Sequence, residues 1–158
     1  RVFVRPKVID LADGKILEAA MPGGGCRFPP HSVESIEQRL PFIKMRGNET
    51  FKVAVRSLTE LSREVMEAAE IDVGDIDLFI PHQANMRIIE AVARRMGIQK
   101  EKVMINIEKY GNTTAATIPL AISETYRANK LQKGDWIVLA AFGAGFTWGS
   151  VLLRWAID

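Results

Sequence analysis

The sequence is poor in the side chains that bind metals or form disulfides, with one cysteine and two histidines in 158 residues. One cysteine excludes an internal disulfide framework and fits a reducing cytoplasm. Cys26, His31 and His82 are too widely separated to give a metal-site spacing, and we expect neither a metal nor another cofactor. Cys26 is followed by prolines rather than by a helix, which favours a loop thiol over a reactive nucleophile.

An excess of one charge and a long apolar run are also missing. The formal net charge of +2 is too small to favour nucleic acid as a partner by itself. No apolar run approaches the length that spans a bilayer, and the first residues lack the layout of a signal peptide. We therefore expect a cytoplasmic protein that binds neither nucleic acid nor a membrane.

The length predicts one domain over residues 1–158, and the apolar fraction of 47% is ordinary for a protein with a sizeable core. The chain does not begin with Met, and its opening resembles a strand inside a sheet. These features predict a piece of a longer polypeptide.

A short apolar strand is predicted over residues 78–80, and Pro81 bounds it. Apolar residues at helical spacing follow and end at Gly97, so we expect His82 to lie at the carboxyl end of the strand and to open a helix. Ligands of open α/β sheets bind at that edge, and a helix N-terminus disfavours a protonated imidazole. The pattern predicts a neutral histidine that donates a hydrogen bond.

Two further strand-to-turn junctions are predicted downstream. Residues 103–107 form an expected strand that leads to Asn112 and a helix ending near Asn129. Residues 136–142 form another that leads to Gly143-Ala144-Gly145 and a last strand. A long helix is expected from Asn48 to about Glu70. The order βαβαβ with a final ββ predicts an α/β fold, in which helices cover a mixed β-sheet.

Four motifs in this order resemble the β-ketoacyl-acyl carrier protein synthase III family of thiolase-like condensing enzymes. The resemblance implies one thiolase-like half, the C-terminal one, since nothing matches the segment that carries the family's nucleophilic cysteine. This chain is therefore expected to be inactive without the N-terminal half. The motifs lie at residues 47–55, 81–85, 110–113 and 142–149.

The chemistry that the resemblance implies is the decarboxylative Claisen condensation of an acyl-coenzyme A with malonyl-acyl carrier protein, which initiates fatty acid biosynthesis. His82 and the Asn112 amide would stabilise the enolate left by decarboxylation. A core histidine and a capping asparagine are the structural alternatives. The backbone N–H of Ala144 would supply part of a separate oxyanion hole, unless the neighbouring glycines only permit a hairpin bend.

The thioester substrates would arrive on coenzyme A or on the phosphopantetheine arm of the carrier protein. The resemblance assigns Asn85 to bind this arm and Gly47 and Phe51 to line its entrance. Asn85 could instead be a surface residue in the first turn of a helix.

Four basic residues, Lys52, Arg87, Arg94 and Arg95, could dock the acidic carrier protein, although a solvated basic face is the usual meaning of such clusters. The expected partners are acyl carrier protein, coenzyme A thioesters, the N-terminal half and a second copy in a homodimer. Two other functions stay open, a related condensing enzyme with another acyl donor and a non-catalytic module that binds acyl carrier protein or coenzyme A.

Overall fold

Helices cover both faces of a mixed β-sheet in a computed structural model of the protein, which describes residues 2–8, 33–37, 46–143 and 146–157. This arrangement confirms the α/β prediction. The strands are β1 (Val2–Val8), β2 (Leu78–Pro81), β3 (Trp136–Gly143) and β4 (Thr147–Arg154). The helices are α1 (Val33–Glu37), α2 (Gly47–Glu67), α3 (Met86–Met96), α4 (Ile107–Tyr110) and α5 (Thr117–Arg127), with 3₁₀ turns at Val73–Asp75, Lys100–Lys102 and Thr114–Ala116.

The described strands lie in the order β1-β4-β3-β2. β2 runs parallel to β3, and β4 pairs antiparallel with both β3 and β1. A parallel pair needs a crossover connection, which the chain between β2 and β3 provides with α3, α4 and α5. The carboxyl ends of β2 and β3 therefore meet at one edge of the sheet.

Side chains of each strand alternate between two apolar layers, as the twofold period of a strand requires. Phe79 and Val138 pack into the layer formed with α2 and α3, whereas Ile80 and Ile137 pack into the layer beneath α5. All four are buried. Strands buried on both faces have continuous apolar sequences, which is why residues 78–80 predict a strand.

The two helices on the first layer differ slightly from their predicted bounds. α2 begins at Gly47 and ends at Glu67, and Glu70 then adopts a left-handed φ of 57° that turns the chain away. α3 begins at Met86, so His82 precedes the helix by four residues and does not open it. The prediction was wrong at this point because Asn85, rather than His82, caps the helix: its side chain accepts a hydrogen bond from the backbone N–H of Arg87.

The strand predicted over residues 103–107 is also wrong. Val103 forms a single parallel bridge with Phe79, and the N–H of Met104 donates to the carbonyl of Phe79 at 2.9 Å. Strand pairing stops there, and α4 begins at Ile107. The reason is the side chain of Gln83, which takes the place of a neighbouring strand.

Gln83 is fully buried, and its amide bonds backbone groups of both connected segments. Its Nε2 donates to the carbonyl of Pro81 at 2.8 Å and to that of Met104 at 3.1 Å. Its Oε1 accepts from the N–H of Asn106 at 2.9 Å and from that of Ile107 at 3.2 Å. The side chain therefore joins the end of β2 to the start of α4 without a β-ladder.

Several predictions fall outside the described residues. They concern the loop that contains Cys26 and His31 and the backbone of Ala144.

We expect Gln83→Leu to destabilise the protein strongly, because two N–H groups and two carbonyls, each buried or partly buried, lose their hydrogen bond to the amide. One buried unsatisfied group costs about 1–3 kcal/mol, so the free energy of unfolding should fall by roughly 3 kcal/mol or more. Chemical denaturation of the complete polypeptide measures this change. The matched control is Gln99→Leu at an exposed position, and equal small effects of the two variants would contradict the proposed role of the amide.

Candidate active site

His82 extends the line of β2 by one residue at the carboxyl edge of the sheet. Its backbone N–H donates to the carbonyl of Ala140 in β3 at 2.7 Å, which fixes the position of the residue. The imidazole is half-buried, and this burial lowers its pKa from the usual value. The ring is therefore neutral at physiological pH, as expected, although burial rather than a helix N-terminus is the cause.

The Nδ1 atom of His82 lies 2.6 Å from the hydroxyl of Thr117, the first residue of α5. Thr117 is itself buried. This contact attaches the imidazole to the helix that follows the Asn112 turn. The protein thus holds the ring through one of its two nitrogens.

Asn112 lies in the turn between α4 and the 3₁₀ turn at Thr114–Ala116. Gly111 before it has φ 67° and ψ −162°, a backbone conformation that only glycine adopts readily. The Oδ1 of Asn112 accepts from the N–H of Thr114 at 3.0 Å. This bond fixes the orientation of the amide, whose nitrogen Nδ2 carries two protons that it can donate. Asn112 is exposed in the chain described.

Hydrogen bonds connect the two predicted donors to each other. The backbone N–H of Thr117 donates to the carbonyl of Thr114, and the N–H of Thr114 donates to Asn112. Thr117 in turn contacts His82. Hydrogen bonds therefore link His82, through Thr117 and Thr114, to the turn that carries Asn112.

A carboxylate clamps the segment that leads to Asn112. Glu124 on α5 accepts from Asn106 Nδ2 at 2.9 Å and from the Tyr110 hydroxyl at 3.1 Å, and it forms an ion pair with Lys109. The hydrogen bond from Lys109 is the main reason that the pKa of Glu124 falls to about 2, and the same bond raises the pKa of Lys109. Glu124 therefore stays charged at physiological pH and keeps α4 attached to α5.

The residues assigned to the arm and its entrance lie near the starts of α2 and α3. Asn85 is exposed and caps α3 through Oδ1, so it lies just before the first turn in which the alternative places it, and its Nδ2 is not used by that cap. The Arg87 guanidinium lies 5.5 Å from the centre of the Phe51 ring, which joins the two helix starts. Gly47 is the first residue of α2 and is exposed.

The four basic residues are exposed on α2 and α3. Arg87 is in the first turn of α3, and Arg94 and Arg95 are in its last turn. The carbonyl of Arg95 accepts from the guanidinium of Arg63 at 2.8 Å, so one more basic side chain of α2 lies beside this end of α3.

Three polar residues that support the site were missed by sequence reasoning: Gln83, Thr117 and Glu124. Gln83 belongs to the motif at residues 81–85, but a motif does not show which backbone groups a side chain bonds. Thr117 and Glu124 resemble ordinary polar residues of a helix. Their partners are 35 and 14 to 18 residues away along the chain, beyond the range of any local pattern.

Within the described ranges, no group of three or more His, Cys, Asp or Glu side chains is placed to hold a metal ion. None of the helices in this part of the chain is long and apolar enough to cross a membrane.

Several solved structures and sequences are similar to this chain. The structure of 3-oxoacyl-[acyl-carrier-protein] synthase III from Aquifex aeolicus is similar to this chain, with a TM-score of 0.79 and 42% sequence identity. The match covers 97% of this chain and 44% of the Aquifex aeolicus chain. The structure of β-ketoacyl-[acyl carrier protein] synthase III from Thermus thermophilus is also similar, with a TM-score of 0.80 and 35% sequence identity. This match covers 98% of this chain and 46% of the Thermus thermophilus chain. The fold is thus that of the thiolase-like class.

The family model for the C-terminal part of 3-oxoacyl-[acyl-carrier-protein] synthase III matches residues 66–155. The chain belongs to this family. β-Ketoacyl-[acyl-carrier-protein] synthase III of Syntrophomonas wolfei is 48% identical over 138 residues, which are 87% of this chain and 41% of that protein. The chain therefore spans less than half the length of this relative.

Proposed function

We propose that the polypeptide containing this chain is a β-ketoacyl-acyl carrier protein synthase III. It condenses an acyl-coenzyme A with malonyl-acyl carrier protein and thereby initiates fatty acid biosynthesis. The observation that carries this proposal is the chain of hydrogen bonds that runs from His82 through Thr117 and Thr114 to Asn112, because it connects an imidazole of lowered pKa to an oriented amide. Among the described residues, no further contact favours either alternative, a related condensing enzyme with another acyl donor or a non-catalytic binding module.

In the proposed reaction, the carbon–carbon bond to the malonyl carboxylate breaks and carbon dioxide leaves. The electron pair passes into the thioester, whose carbonyl oxygen becomes an enolate oxygen. His82 and the Nδ2 of Asn112 donate hydrogen bonds to that oxygen. Such fixed donors stabilise a developing charge without reorganising in the transition state, and rigid elements hold both of them here.

The enolate carbon then attacks the carbonyl carbon of an acyl thioester, and a thiolate leaves. We assign the nucleophile of this acyl-enzyme to the remainder of the polypeptide. The backbone N–H of Ala144 is proposed to stabilise the tetrahedral oxyanion. Gly143, the residue before Ala144, ends β3 at the same carboxyl edge of the sheet as His82. No metal takes part in this scheme.

The phosphopantetheine arm is proposed to pass between the starts of α2 and α3. Asn85 can bond an amide of the arm through Nδ2 while its Oδ1 keeps the cap. Phe51, held beneath the Arg87 guanidinium, supplies an apolar wall, and Gly47 leaves room because a Cβ there would meet no atom within 4 Å. The complete enzyme is proposed to be a cytoplasmic homodimer.

The carrier protein is proposed to dock on the exposed basic residues Lys52, Arg87, Arg94 and Arg95. These residues lie on the two helices whose starts border the proposed arm entrance. Positive charge attracts the acidic carrier protein and increases the rate of association, and salt screens this attraction.

Substitution of either enolate donor should separate the two half-reactions in the complete enzyme. We expect His82→Ala and Asn112→Asp to lower release of labelled carbon dioxide from malonyl thioester by about 10²–10³, whereas acyl transfer to the nucleophile largely survives. Asn112→Asp is informative because a carboxylate can still accept from the N–H of Thr114 but lacks the Nδ2 donor. Undiminished release in both variants would remove the proposed roles.

Reversal of charge on α3 should impair the carrier substrate selectively. We expect the double variant Arg87→Glu, Arg94→Glu to raise KM for malonyl-acyl carrier protein and to flatten the salt dependence of KM, because screened attraction is lost. Decarboxylation of malonyl-coenzyme A should change much less. The matched control is Arg127→Glu, an exposed residue at the end of α5. Equal impairment of both malonyl donors would show that these arginines shape the fold or the arm channel instead.

A further inference from the structure

Three donors converge on the carboxylate of Glu124, and each of them lies in α4 or directly before it. Asn106, the residue before α4, donates from Nδ2 to Oε2 of Glu124 at 2.9 Å. Tyr110, the last residue of α4, donates from its hydroxyl to Oε1 at 3.1 Å, and Lys109 donates to the same oxygen. One side chain of α5 therefore holds both ends of α4.

α4 needs such contacts because it is too short to fix its own position. It has four residues, and isolated helices of that length are not stable in water. The amide of Gln83 bonds the start of α4 through the N–H groups of Asn106 and Ile107. The other end of α4 leads through Gly111 to Asn112. The bonds of Glu124 therefore hold the part of α4 that the Gln83 amide does not reach.

The helix that carries Glu124 also contacts the other proposed donor. Thr117, the first residue of α5, lies 2.6 Å from Nδ1 of His82. Glu124 follows Thr117 by about two turns on the same face of α5, since a helix has about 3.6 residues per turn. α5 thus contacts the His82 ring through one residue and the segment before Asn112 through another.

We propose that Glu124 is a positioning residue, which places Asn112 relative to His82 by tying both ends of α4 to α5. The inference rests on the proposed function, since it assigns Glu124 to the step that uses both donors. The neighbours of the carboxylate are all donors, and an ionised carboxylate has only acceptor atoms. Glu124→Gln would direct an NH₂ group at the donors on one side, so one end of α4 would lose its partner.

The first test does not depend on catalysis and measures amide hydrogen exchange of the complete polypeptide by mass spectrometry. The N–H groups of Tyr110 and Gly111 donate to carbonyls at the start of α4. We expect Glu124→Gln and Lys109→Met to accelerate exchange in the peptide that contains these two N–H groups, while peptides of α2 exchange as in the wild type. Unchanged exchange of α4 in both variants would overturn the proposal.

Two control variants separate the contacts of the carboxylate from a general effect of charge. Lys109→Arg keeps a cationic donor beside Glu124. Glu108→Gln removes an exposed carboxylate of α4 itself. Both controls should exchange as the wild type does, and an acceleration in Glu108→Gln equal to that in Glu124→Gln would contradict a specific role of Glu124.

The second test compares the two half-reactions in the same variants. Displacement of one donor should lower kcat for carbon dioxide release from malonyl-coenzyme A by about tenfold in Glu124→Gln, less than the about 10²–10³ expected for loss of a donor. KM should change little, and acyl transfer to the nucleophile should survive. A role in general stability alone would instead lower both half-reactions.

The decisive comparison combines Glu124→Gln with Asn112→Ala. If Glu124 acts through Asn112, the added substitution should cost no further activity, because the amide that it positions is already absent. A further loss of about tenfold in the double variant, or an unchanged kcat in Glu124→Gln alone, would refute the positioning role. Unimpaired release in His82→Ala and Asn112→Ala would overturn the proposed function itself, and the assignment of Glu124 to this step with it.

Discussion

The buried amide of Gln83 is the interaction on which the candidate site depends. Its four hydrogen bonds satisfy backbone groups at the end of β2 and at the start of α4. Buried backbone groups need partners, and a strand would normally provide them. Because one side chain provides them here, the segment after Val103 is free to leave the sheet and form the turn that carries Asn112.

The remaining contacts hold that turn against His82. Glu124 attaches α4 to α5, and Thr117 at the start of α5 contacts the imidazole. The pKa values of both His82 and Glu124 are lowered. Burial favours the neutral form of His82, and the hydrogen bond from Lys109 favours the charged form of Glu124. A neutral donor beside an oriented amide suits an enolate, because neither group needs to gain or lose a proton when the charge develops.

Much of the framework could be predicted from the sequence, because apolar periodicity reports burial. The strand before His82, the long helix α2 and the final hairpin all have patterns that match their packing. The strand at residues 103–107 was predicted wrongly. Its apolar residues have the pattern of a strand, but the backbone groups of this segment bond the Gln83 side chain instead of a neighbouring strand. The contacts of Gln83, Thr117 and Glu124 join residues far apart in sequence, and periodicity contains no information about them.

We propose that His82 and Asn112 act together on one oxygen. A double-mutant cycle of His82→Ala and Asn112→Ala in the complete polypeptide, measured as carbon dioxide release from malonyl-coenzyme A, tests it most directly. If both donors serve the same enolate oxygen, the double variant should lose little more activity than the worse single variant. Losses that multiply, as they do for independent residues, would contradict the account.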